Sequence, residues 1–234
     1  MITITNLKKQ FGETTACDIP SFTINDGDVL GLVGNNGAGK TTMFRMMLDL
    51  LKPDEGTVMI DHINPATSED WKAFVGAYID EGFLIDYLTP EEYFSFLGKI
   101  AGIPQKDIEE RLLPFEHFAG GEIFGQNKLI RNLSAGNKQK VGIMSALIRY
   151  PSIVVLDEPF NFLDPTSQSA LKKILTNYAA DHHATILLSS HNLQHTVDIS
   201  TRITLLEKGS IIRDFDNNNM NAREELTAYF EQQI

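Results

Sequence analysis

A glycine-rich segment, Gly34-Asn35-Asn36-Gly37-Ala38-Gly39-Lys40-Thr41-Thr42, follows directly on the apolar run Val29-Leu30-Gly31-Leu32-Val33. The apolar run reads as a strand, and the residues from about Gly39 to Leu51 read as a helix. A strand, a flexible turn and a helix start in that order leave few folds open. The turn must present consecutive backbone N–H groups to one side, as an anion nest at a helix N-terminus. Glycines permit that path without steric strain. The nest suits a polyphosphate, with Lys40 placed to bridge its β- and γ-phosphates and the Thr41 hydroxyl placed to ligate Mg²⁺. Chance alone would produce the pattern in roughly one chain of this length in a hundred.

The rest of the chain supplies a matching framework. Strands are expected near 2–6, 19–24, 28–33, 57–60 and 74–79, then at 153–156, 185–189 and 203–206. Thr89-Pro90-Glu91-Glu92 is a strong helix start, with a hydroxyl cap, a first-turn proline and first-turn acids. The helical texture continues to about Leu113, and a second helix is expected from Ser134 to about Tyr150. Asn217-Asn218-Asn219 reads as a loop before a last helix. Continuous apolar strands alternating with helices argue for an α/β fold with a buried, largely parallel sheet.

A second candidate site element is Ile153-Val154-Val155-Leu156-Asp157-Glu158-Pro159. Ligands in α/β sheets bind at the carboxyl ends of strands, where Asp157 and Glu158 would stand. Asp157 is then placed to hold Mg²⁺ and Glu158 to act as general base on a water. A solvated acidic pair is the competing reading, and the phosphate loop upstream tips the balance toward function.

Composition narrows the partners. The net charge is -11, from 20 basic and 31 acidic residues, a poor platform for wrapping nucleic acid. Cys17 is the single cysteine, so no internal disulfide is possible; a small packed residue is the expected role. Neither a signal peptide nor an apolar stretch of membrane-spanning length is apparent, so a cytoplasmic chain is expected. His191 and His195 have the i, i+4 spacing of zinc ligands, but no third ligand accompanies them; His182-His183 reads as a solvated turn.

Leu133-Ser134-Ala135-Gly136-Asn137 resembles the signature of ABC ATPases, and the three segments follow that family's order over essentially the whole chain. The resemblance implies a P-loop NTPase core: α/β, with a mostly parallel sheet, an N-terminal antiparallel β region and an inserted α-helical subdomain. It implies a core over 1–81 and 146–234 and a helical subdomain over 82–145. It implies that ATP and Mg²⁺ are held by the 34–42 loop, with Phe11 stacked on adenine. The resemblance further assigns His191, in Ser189-Ser190-His191, to the γ-phosphate. Ser134 and Gly136 would cap ATP held by a second copy or a paralogous ATPase subunit, and Asp164 would lie in the loop crossing that interface.

The departures from the pattern are Ala135, Asn137, the bulky Phe160 and Phe162, and Asp80-Glu81 where a lid glutamine is usual. An acid at Asp80 can still touch Mg²⁺ but cannot donate as an amide does. Some exporter-type members also carry an acid there. The family docks a separate transmembrane permease on the helical subdomain, which implies a peripheral position on the inner face of the cell membrane. Phe83, Tyr87, Tyr93 and Phe94 are candidates for that groove, although core is the preferred reading for Phe94 and Leu97. Non-transport ABC ATPases and nucleotide-sensing modules remain as alternatives.

Overall fold

The computed structural model describes residues 1–191, 193–217 and Leu226. Strand β1 (Ile2–Phe11) and strand β2 (Thr14–Ile24) form a hairpin, both longer than their apolar alternation suggests. Strand β3 (Val29–Val33) leads into the glycine loop and helix α1 (Lys40–Met47). Strand β4 (Glu55–Ile60) returns to pair antiparallel with β1. Strand β5 (Val75–Tyr78) precedes a helical layer: α2 (Pro90–Ile100), α3 (Gln105–Leu112), the short α4 (Glu116–Ala119) and α5 (Ala135–Leu147). The chain then alternates through β6 (Ile153–Leu156), α6 (Pro165–His182), β7 (Thr185–Ser190) and α7 (Leu193–Ile199). It closes on an edge hairpin, β8 (Arg202–Glu207) and β9 (Ser210–Asp216).

Two sheets result. One is antiparallel, in the order β2-β1-β4. The other runs β5-β6-β7-β3-β8-β9 and is parallel except for β9. Its central strands β3, β6 and β7 are buried on both faces, and their side chains divide between two cores by the period-two rule. Val154, Leu156, Ile186 and Leu188 face α5 and α6. Val155, Leu187, Leu30 and Leu32 face α1 and the three-stranded sheet, together with Ile2, Ile4 and Met43. Cys17 lies in this second core, and burial pushes its thiol up to about 12.

Several expected boundaries move. The helix after Lys40 stops at Met47 instead of continuing to residue 51, and Asp49 turns left-handed at φ 53. The expected helix from Thr89 to Leu113 is two helices, broken where Gly102 takes φ 68 and Pro104 precedes α3. The helix from Ser134 ends at Leu147, and Tyr150 turns left-handed at φ 55. Strand β9 is absent from the expected set because Arg213, Asp214 and Asp216 interrupt its apolar run. Asn218, Asn219 and the helix expected after them lie outside the described residues.

Candidate functional site

The parallel strands deliver the candidate residues to one edge. The glycine loop leaves β3, Asp157 and Glu158 leave β6, Ser189 and Ser190 end β7 with His191 next, and Asp80 follows β5. Neighbouring parallel strands end side by side, so four separate stretches of sequence meet there.

In the loop, Asn35, Asn36 and Gly37 form the exposed tip while Gly34, Ala38 and Lys40 are buried. Gly39 is left-handed at φ 106, and a β-carbon there would lie 2.3 Å from the Ala16 carbonyl oxygen. Only glycine can take that backbone against β2. The Lys40 ammonium donates to the carbonyls of Gly34 (2.7 Å) and Asn35 (3.3 Å) and lies 3.2 Å from Glu158 Oε1. Thr41 Oγ1 donates to Asp157 Oδ2, and Thr42 follows in the first turn of α1.

Asp157 is buried, and its carboxyl is raised above the ordinary carboxylate range by desolvation; hydrogen bonds from Ser189 and Thr41 pull it back. Ser189 joins the two acids, because its hydroxyl donates to Asp157 Oδ1 and accepts from the Glu158 N–H at 2.7 Å. Glu158 stands at φ 48, and its side chain is divided between two partners. Oε1 faces Lys40, while Oε2 lies 2.8 Å from His191 Nδ1 and accepts from the His191 N–H at 3.2 Å. Gln139 Nε2 donates to the Glu158 carbonyl at 3.1 Å, tying α5 to the same point. The roles of Ser189 and Gln139 were not anticipated; the visible signal for Ser189 was a serine at the end of an apolar strand, pointing where β6 ends.

A cleft of about 340 Å³ opens over the acids, lined by Asp80, Gln139, Asp157, Glu158 and Phe162 among others. Asp80 thus reaches the site, but its carboxylate is engaged by Arg45 (2.9 Å) and the Gly82 N–H (2.8 Å). The next acid, Glu81, pairs with Lys138 of α5 at 3.0 Å. Ser134 is exposed and caps α5, accepting from the Asn137 N–H at 3.2 Å. Asp164 caps α6; both its oxygens are taken by Ser167, at 2.9 Å from the N–H and 2.6 Å from the hydroxyl. It shapes that turn and stays exposed to solvent. Phe11 ends β1 with its ring 54% exposed and the Lys9 ammonium 5.6 Å from the ring centre. The hairpin that carries it reaches the loop through the Ala16–Gly39 contact.

The arrangement fits a metal-bound polyphosphate. Thr41 and Asp157 offer hard oxygen donors side by side. No group of three or more His, Cys, Asp or Glu among the described residues could hold a metal unaided. An ion there would complete its coordination with phosphate and water oxygens, as Mg²⁺ does. His195, the other half of the zinc-like pair, stacks on Phe160 at 4.9 Å.

A second surface lies away from these acids. A groove of about 380 Å³ runs between the end of α1, the edge of β5 and α2, lined by Leu50, Trp71, Phe83, Tyr93, Leu97 and Ile100 among others. Of the aromatic candidates, Phe83 is half exposed in this groove, whereas Phe94 is core. Tyr87 is exposed but does not line it.

Comparison with known proteins gives a consistent result. A family model described as "ABC transporter" matches residues 17–161. The bacitracin transport ATP-binding protein BcrA of Bacillus licheniformis is 30% identical over 95% of this chain and 72% of its own length. BcrA of Enterococcus faecalis is 32% identical over 93% of this chain and 70% of its own. A solved ATP-binding subunit of an ABC transporter matches with a TM-score of 0.83 at 25% identity, over 97% of this chain and 94% of that one.

Proposed function

The chain belongs to the ABC transporter family, and from that premise we propose that this ATP-binding subunit hydrolyses ATP·Mg as one of a pair and drives a membrane exporter. The observation that carries the reading is the convergence of Lys40, Thr41, Asp157, Glu158 and His191 in hydrogen-bonded or ion pairs, with Ser189 joining the two acids. Each group has a task in phosphoryl transfer to water, a reaction in which positioning and electrostatics do most of the work. The loop N–H groups and Lys40 bind the phosphates. Thr41 and Asp157 are the residues that would hold Mg²⁺, which when bound supplies positive charge to the phosphate oxygens.

Lys40 and Glu158 satisfy one another across 3.2 Å. A γ-phosphate drawing Lys40 toward itself frees Glu158 Oε1 to accept a proton from water, while His191 holds Oε2 in place. Ser189 keeps Asp157 and Glu158 in register during that exchange. Ser134 and Gly136, at the N-terminus of α5, suit an anion held by a second protomer. The two protomers then enclose two nucleotides in a two-fold arrangement.

Among the described residues no helix is long and apolar enough to cross a membrane. The membrane connection is therefore proposed to run through a separate permease, docked in the groove between α1, β5 and α2. Export as the direction rests on Asp80-Glu81, because some exporter-type members also carry an acid at this position. Glu158→Gln tests the central reading. It should keep ATP binding, lose hydrolysis by a factor of at least about 100, the scale of general-base catalysis, and accumulate dimers with Mg·ATP. Turnover at the parent's rate would remove Glu158 from its role. A chain that hydrolyses ATP but never associates with a membrane protein would favour a non-transport ATPase.

A further inference from the structure

A cavity of about 450 Å³ lies between the α3–α4 segment and α6. It shares no lining residue with the cleft over Asp157 and Glu158 or with the groove beside α1. Its volume falls in the range of small-molecule sites, which typically combine apolar walls with a few charged groups. Phe115 and Phe118, both buried, supply apolar wall from the helical layer, and Ile174 and Tyr178 supply it from α6.

One wall is held by its own contacts. The Arg111 guanidinium lies 4.5 Å from the centre of the Tyr150 ring. That ring stacks on His182 at 4.9 Å and 24°. His182 in turn meets Tyr178 at 4.6 Å, and the Tyr178 hydroxyl donates to the Pro151 carbonyl at 2.8 Å. The ladder runs from α3 to the last turn of α6. It accounts for the left-handed backbone of Tyr150 at φ 55, a conformation that a bulky residue keeps only where its surroundings enforce it. Side chains fixed in this way lose little further freedom when a ligand binds.

The charge of the lining opposes that of the whole chain. The chain carries -11. Histidines apart, this cavity has two cations, Arg111 and Lys173, against one acid, Asp181. Arg111 donates to the neutral Ile148 carbonyl at 3.1 Å, and among the described residues neither cation has a carboxylate within ion-pairing distance.

We propose that this cavity binds a small aromatic carboxylate. The single excess positive charge matches a monoanion rather than a phosphate dianion. A carboxylate gains charge-assisted hydrogen bonds from Arg111 and Lys173, and the flat body of the ligand packs on the phenylalanine and tyrosine rings. The site is separate from the nucleotide and permease surfaces and independent of the exporter reading.

The test is calorimetric titration of the full chain, saturated with Mg·ADP so that the nucleotide site is filled. The probes are indole-3-acetate and indole-3-acetamide, which share a ring and differ in charge. The acetate should bind with a Kd of about 1 mM or below, at least about tenfold tighter than the amide. Lys173→Glu should weaken the acetate at least about tenfold while leaving the amide within about threefold, as for a charge that meets only the carboxylate. Ala170→Trp, which fills the cavity, should abolish binding of both. Hydrolysis of ATP without probe should be the same in Lys173→Glu as in the parent. Absence of acetate binding, equal affinity for the two probes, or an acetate affinity that Lys173→Glu leaves unchanged would each overturn the proposal. So would undiminished binding in a folded Ala170→Trp protein. Lys173 is exposed, so its variant decides the matter even where the tryptophan variant fails to fold.

Discussion

At Asp157 the requirements of folding and of chemistry oppose one another. The carboxylate is only 6% exposed, and burial raises its pKa while Ser189 and Thr41 donate to it. A native-state pKa above the unfolded value means that the folded protein binds the proton more tightly than the unfolded chain does. Stability then declines as pH rises from the unfolded pKa to the folded one, and the deficit is complete at neutral pH. Asp157→Asn should therefore raise the melting temperature of the nucleotide-free protein at pH 7. That gain should shrink below the ordinary carboxylate range, and Mg²⁺-dependent hydrolysis should be lost. A pH series of calorimetric melts on both proteins checks the sign; a variant that melts lower at pH 7 would show that the hydrogen bonds outweigh desolvation. The type of each residue at this scale was legible in advance, and so was the meeting of Lys40, Thr41, Asp157 and Glu158 in one site. Ser189 was not, because its task depends on β7 lying beside β6.

At the scale of elements, helix starts were legible because their chemistry is local. Thr89 and Glu92 form the reciprocal cap that their spacing suggests: the Thr89 N–H donates to Glu92 at 2.8 Å and the Glu92 N–H donates to Thr89 at 3.3 Å. Thr89→Ala should lower stability by about 1 kcal/mol, measured by urea unfolding with an unchanged m-value. Helix ends were less legible. They are set by left-handed residues such as Asp49 and Tyr150, whose side chains permit helix equally well. Asp80 illustrates the same limit. Its place after β5 was readable, but its pairing with Arg45 depends on α1 lying across from that strand end.

At the scale of the whole molecule, the helical layer and the sheet together leave an apolar groove that neither forms alone. Ile100 and Leu50 stand on its rim, 66% and 47% exposed. Solvent-facing substitutions of this kind typically shift stability by only about 0.5 kcal/mol. Ile100→Glu with Leu50→Glu should thus leave the melting temperature nearly unchanged while abolishing co-sedimentation with permease-containing membranes. Retained co-sedimentation would move the permease contact to another face.

The amino-acid sequence by itself determined the strand–loop–helix unit, the acidic pair, the capped helices and the family. Each of these rests on interactions between residues close in the chain, and on backbone freedoms that glycine and proline carry wherever they stand. Tertiary structure alone decided that Lys40 faces Glu158, that Ser189 joins the two acids, that Arg45 takes Asp80 and that Phe162 is turned outward against Gly136. Those pairings connect segments far apart in the chain. They exist only once the sheet has set the order of its strands, because the strand order places their ends, and hence their side chains, next to one another.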